Sequence, residues 1–184
     1  MRSVALLAAG LLLVGACTSA EPTIEEYAPV LEQRAAAYAD EVGTLAEQNA
    51  ADLNSAVNRL QNDLQGDALL EAAVAETATL SSMLFAGIGD ALDRYVRDLD
   101  EMRTPASVEE EHVSYLAALE ASRLGIAPLL EMLGSATSFE QIDQAIASSG
   151  FSDAQPRVEA ACTTLERAAE ALGPNANLRC VVTR

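Results

Sequence analysis

From Ile24 the apolar or alanine positions recur at Tyr27, Leu31, Ala35, Tyr38, Val42 and Leu45, and after Asn49 at Leu53, Val57, Leu60 and Leu64. The spacing averages about 3.6 residues, the α-helical period. One long helix is expected here, opened by Thr23-Ile-Glu-Glu26, a capping box with Thr23 as N-cap. Pro29 either kinks this helix or marks its true first turn. Asn49 is the one polar break in the stripe and a candidate register-setting amide, as in coiled coils.

Gln65-Gly66-Asp67 reads as a turn with Asp67 as the next N-cap. A second stripe follows at Leu70, Val74, Thr77, Leu80, Leu84, Ile88, Leu92, Tyr95, Leu99 and Met102. Gly87 and Gly89 interrupt it, each at about 1 kcal/mol relative to alanine; close helix packing or a bend explains them better than a ligand-facing gap. Thr104-Pro105 ends the helix, and Thr104 or Ser107 could cap the next. The third stripe runs Val108, His112, Tyr115, Leu119, Ser122, Ile126, Leu129 and Leu133, with a kink expected at Pro128. Ser138 caps a short helix reaching Ser148, and Ser152 caps a last one stopping at Gly173-Pro174. A strand signal occurs only at Cys180-Val-Val-Thr183. Short connections favour antiparallel neighbours. The expected fold is all-α: an antiparallel up-and-down helical bundle of three long helices plus one or two shorter ones.

The start of the chain follows another pattern. MRSVALLAAGLLLVGA has a positive residue at Arg2, an apolar run from Val4 to Val14, and small residues at Gly15 and Ala16. The run is too short for a bilayer core, which needs roughly 20 residues. Leu13-Val14-Gly15-Ala16-Cys17 resembles the bacterial lipobox. The resemblance implies a diacylglycerol group on the Cys17 thiol, removal of residues 1–16 and acylation of the new amine. Two or more chains give stable anchoring where one is marginal. It implies a lipoprotein held on the extracytoplasmic face of a bacterial membrane; Thr18 in place of aspartate leaves inner and outer membrane both open. The expected organisation is a signal peptide at 1–16, a lipidated cysteine and tether at 17–22, and a helical bundle domain at 23–184.

Charge narrows the partners. The formal net charge is -17, and the eleven basic residues, all arginine, are scattered among 28 acids. Such a body is repelled by nucleic acid and anionic headgroups. Three Phe, four Tyr and no Trp offer few stacking faces for sugars or single strands. Outside the cytoplasm the remaining pair, Cys162 and Cys180, is expected to form a disulfide contributing about 3 kcal/mol and clipping Leu178–Arg184 onto the last helix. The body also resembles uncharacterised helical lipoproteins through Pro105 with His112 and Tyr115, Ala161-Cys162-Thr-Thr-Leu165, and Leu178-Arg-Cys180. That resemblance implies the bundle and the disulfide and no known activity.

His112 is the only histidine, so any Ser-His, Cys-His or His-metal mechanism must use it. No nucleophile elbow, HExxH, Walker loop or dinucleotide fingerprint occurs. Glu109-Glu-Glu-His112 matches half of a di-iron bundle site, whose other half needs a second histidine. No calcium-loop pattern accompanies the acid clusters Glu25-Glu26, Asp98-Asp100-Glu101 and Glu109-Glu110-Glu111, which read as solvated charges. No metal, cofactor or catalytic set is expected. His112 and Tyr115 are the candidate ligand-binding residues, at the mouth of a bundle cavity; the plainer reading of His112 is a buried, hydrogen-bonded structural histidine. The expected role is a non-enzymatic interaction or binding module of the cell envelope with an envelope protein partner. The alternative is a small-molecule or metal carrier with a cavity near His112 and the Gly87-Gly89 bend. A hydrolase, ranked last, would need a nucleophile beside His112.

Overall fold

A computed structural model describes residues 21–173 and Leu178. The signal segment, Cys17, most of the tether, Pro174, Cys180 and the strand signal beside it lie outside the described residues. Helix α1 spans Ile24–Asp63 and α2 spans Gly66–Asp100. A short 3-10 turn at Ala106–Val108 leads into α3, Glu109–Leu124, then α4, Ile126–Gly134, α5, Phe139–Ala147, and α6, Gly150–Leu172. No strand occurs among the described residues.

The first capping box forms as expected. Glu26 N–H donates to Thr23 Oγ1 (3.3 Å), and Thr23 N–H donates to Glu26 Oε2 (2.9 Å). Pro29 lies inside α1 rather than at its first position. Asp67 does not cap α2: the connection turns through Gly66 at φ +61°, a left-handed conformation open to glycine, and Asp67 falls in the first helical turn, where its charge suits the dipole. Gly87 and Gly89 prove to be packing glycines. A Cβ on Gly87 would stand 3.0 Å from Leu45 of α1, and one on Gly89 would stand 3.1 Å from Ile126 of α4.

The pairs Tyr38–Tyr95, Glu41–Arg94 and Arg59–Glu76 set α1 and α2 in one antiparallel register. Helix α3 runs antiparallel to α2 through Arg123–Asp93 and His112–Leu99. Helix α6 returns along α3, where Gln155 Nε2 donates to Ser122 Oγ at 3.4 Å. The fold is therefore all-helical, with α1, α2, α3 and α6 packed up and down.

The third helix breaks at Gly125, not at Pro128. A Cβ on Gly125 would lie 2.1 Å from the Phe151 nitrogen and 2.3 Å from the Gly150 carbonyl carbon, so two backbones meet here. Pro128 sits in the first turn of α4, where a missing N–H costs nothing. Two further caps move. Ser149 rather than Ser152 opens α6, accepting from the Ser152 N–H at 3.1 Å. Neither Thr104 nor Ser107 caps α3: the Thr104 hydroxyl donates instead to the Met102 carbonyl (3.4 Å), and the 3-10 turn buries Val108 completely.

Apolar burial divides into two clusters. One lies between α3, α6 and the facing halves of α1 and α2, centred on Leu31, Leu99, Tyr115 and Leu165, and it includes Leu178. The other joins the first half of α2 to α4 and α5 through Val74, Phe85, Leu129 and Ile142. Val42 and Phe151 pack against both. Beyond them α1 has little cover: from residue 46 to 63 only Ala56 is buried.

Two alanine substitutions should shift stability in opposite directions. Gly125→Ala forces two backbones apart and should cost about 1–3 kcal/mol despite its helix propensity. Gly43→Ala adds a Cβ where nothing lies within 4 Å and should gain about 0.5–1 kcal/mol. Urea unfolding midpoints check both; a neutral or stabilising Gly125→Ala contradicts the close approach.

Candidate functional site

His112 enters the bundle from the first turn of α3, after the acidic run that favours the helix dipole there. Its ring is buried, with only 4% of the residue exposed. Nε2 lies 3.2 Å from the Leu99 carbonyl and Nδ1 lies 2.7 Å from the Tyr27 hydroxyl. A carbonyl only accepts, so Nε2 carries the proton and donates to Leu99, while Nδ1 accepts from Tyr27. Tyr27 also meets the imidazole edge to face, with ring centroids 5.7 Å apart. One neutral histidine thus ties α1, α2 and α3 together.

Burial lowers the pKa of His112, outweighing the Leu99 hydrogen bond and the charge of Asp100, which both raise it. The imidazole is held neutral. Tyr115, one turn on, is fully buried, and its hydroxyl lies 3.2 Å from that of Tyr95. The ring of Tyr95 stacks on Tyr38 at 4.9 Å with a 6° interplanar angle. The structure therefore buries both sequence-predicted ligand residues, each with its own polar partners: His112 with Tyr27 and Leu99, and Tyr115 with Tyr95.

The acid clusters gather at one pole of the bundle, on three different helices. The clusters at Glu25-Glu26, Asp98-Asp100-Glu101 and Glu109-Glu110-Glu111 sit on separate helix ends, and no group of three or more His, Cys, Asp or Glu that could hold a metal is found among the described residues. Cys162 is buried in the first cluster, its Sγ 3.6 Å from Glu166 Oε1. Its expected partner Cys180 lies outside the described residues.

Open grooves occur elsewhere. Near the α1–α2 turn a groove of about 710 Å³ runs between Leu70, Val74 and Phe139. A neighbouring one of about 590 Å³ continues past Ala78, Met83 and Leu133. Leu70, Met83 and Phe139 are 57%, 64% and 42% exposed, so this end carries an apolar strip. By length and composition α2 could cross a membrane, with an eighteen-residue stretch of mean hydropathy 1.3 of which 22% is buried. A third groove, of about 440 Å³, lies between α1 and α2 beside Arg34 and Tyr38. His112 lines none of the three. Periodicity put Leu70 on the buried stripe and gave no weight to Arg34, because both depend on where neighbouring helices end. The chain matches no family model, no curated protein and no solved structure.

The buried, neutral His112 predicts an acid-side loss of stability. A histidine whose folded pKa is lowered contributes fully above its unfolded value near 6.5; that stability is lost as pH falls through 6.5 toward the folded pKa, because only the unfolded chain takes up the proton. Stability should fall from pH 7.5 to 5.5 with a slope of at most about 1.4 kcal/mol per pH unit from this residue. His112→Gln should flatten that slope, as read from urea midpoints across the range. Tyr27→Phe leaves Nδ1 without its donor and should cost about 1–3 kcal/mol at pH 7.5.

Proposed function

We propose that the mature chain is a lipid-anchored, extracytoplasmic helical protein that acts without chemistry of its own, offering an apolar face to a protein partner in the cell envelope. The observation that carries this reading is the polarity of the molecule. Thr23 opens α1 at the end nearest the tether, and forty helical residues at 1.5 Å each set the α1–α2 turn about 60 Å away. The exposed side chains Leu70 and Phe139 lie toward that far end. An anchor at Cys17 would hold one pole at the membrane and present the other. The acidic exterior favours standing off anionic headgroups, and the sealed histidine favours a binding role over catalysis.

The cysteine clip belongs to the same reading. Leu178 is buried in the cluster that holds Cys162, so the chain returns to that core two residues before Cys180. A Cys162–Cys180 disulfide would fasten that return and remove about 3 kcal/mol of unfolded-state freedom.

Three measurements test these points. Cys17→Ser should move the protein from the membrane fraction to the soluble one, and intact mass of the wild type should show a chain beginning at Cys17 with added lipid. Non-reducing peptide mapping should recover a Cys162–Cys180 fragment; two free thiols refute the clip. Paired Leu70→Ser and Phe139→Ser changes should abolish crosslinking to envelope partners while leaving the unfolding midpoint nearly unchanged, as suits exposed positions. Crosslinking at the wild-type level in that variant removes the docking face.

A further inference from the structure

The groove between α1 and α2 beside Tyr38 has a charge arrangement that the packing does not explain. Its walls carry Arg34 and Glu41 on α1 and Arg94 and Asp98 on α2. In the antiparallel register, Glu41 faces Arg94 and the two close into an ion pair. Toward Thr23 the same groove carries Arg34, two turns from Glu41, and Asp98, one turn from Arg94 on the facing helix, and no ion pair joins them. Instead Arg34 Nη1 is shielded from solvent with no hydrogen-bond partner among the described residues. A buried donor on a charged group left unmatched is costly, and such an atom marks a place where an acceptor belongs.

A second donor stands one turn on. Burial, helped by the charge of Glu41, pushes the Tyr38 hydroxyl up to about 12, so it keeps its proton across the neutral range. Arg34 and Tyr38 together suit a carboxylate, which accepts from a guanidinium edge and a phenol. Asp98 opposite is exposed and carries no ion pair among the described residues. A net charge of -17 disfavours ligands that are simply anionic, whereas a molecule with one charge of each sign escapes that field.

We propose that this groove binds a small zwitterion, an α-amino acid with an aliphatic side chain. Its carboxylate accepts from Arg34 and Tyr38, its ammonium donates to Asp98, and its side chain rests on Val30, one turn from Arg34. A cavity of about 440 Å³ accommodates a ligand of that size. The site lies away from the apolar strip, so it stands whether or not that strip docks a partner.

The probe is L-leucine, titrated calorimetrically into the purified protein. Saturable binding is expected, weakened about tenfold or more by Arg34→Gln and by Asp98→Asn. Isocaproate, which lacks the ammonium, and isoamylamine, which lacks the carboxylate, should each bind about tenfold more weakly or worse. Asp98 is exposed, so Asp98→Asn keeps the test alive should Arg34→Gln fail to fold. The proposal is overturned by no heat with L-leucine, by unchanged binding in Asp98→Asn, or by isocaproate binding as well as L-leucine does.

Discussion

A helix of 40 residues, paired lengthwise only with the 35-residue α2 and touched by the 23-residue α6 over part of its length, cannot be covered on every side. This mismatch governs the rest. Where α3 and α6 reach, α1 and α2 have neighbours on several sides and bury leucine and tyrosine completely. Past Val42 and Phe151 the cover is divided unequally: α4 and α5 attend to α2, and α1 keeps only the seam with its hairpin partner. The break at Gly125 belongs to the same constraint. A straight third helix would run on past the point where α6 must begin, and the backbones at 125 and 150 touch because the chain turns there in the least space glycine allows.

The tyrosine-histidine seam shows how the covered half is made specific. Leucine packing alone tolerates sliding, whereas Tyr27, His112 and the Leu99 carbonyl form hydrogen bonds in one arrangement only. The polar groups face inward and are matched, so the seam fixes register and gives solvent no entry. A lone histidine on an apolar stripe is ambiguous in sequence; here both of its nitrogens are engaged by neighbours 85 and 13 residues distant along the chain.

Most of the helices were legible because their signals are local. The capping box at Thr23, the period of about 3.6 in the first two stripes and the cap at Ser138 act within a few residues, and they formed where expected. What failed depended on contacts distant in sequence. Pro128 looked like the kink because proline is a local breaker, but Gly125 carries it because Gly150 arrives from the next helix pair. Ser152 looked like the cap because Gln155 completes a box, but Gln155 reaches to Ser122 instead. Arg34 was invisible for a related reason: one side chain does not reveal that its opposite number across a hairpin is an aspartate it fails to join.

The sparse cover of the outer α1–α2 hairpin also has a kinetic meaning. With Ala56 the only buried residue from 46 to 63 on α1, little apolar area is lost when that stretch opens, so its amides should exchange with solvent by local fraying well below the free energy of global unfolding. Opening would start at the Gly66 turn and run inward until it met Val42 and Phe151, where both clusters begin to resist. The protein thus combines a rigid base with a soft tip, and anything that gripped the tip would hold it against that unzipping and give up part of its affinity to do so.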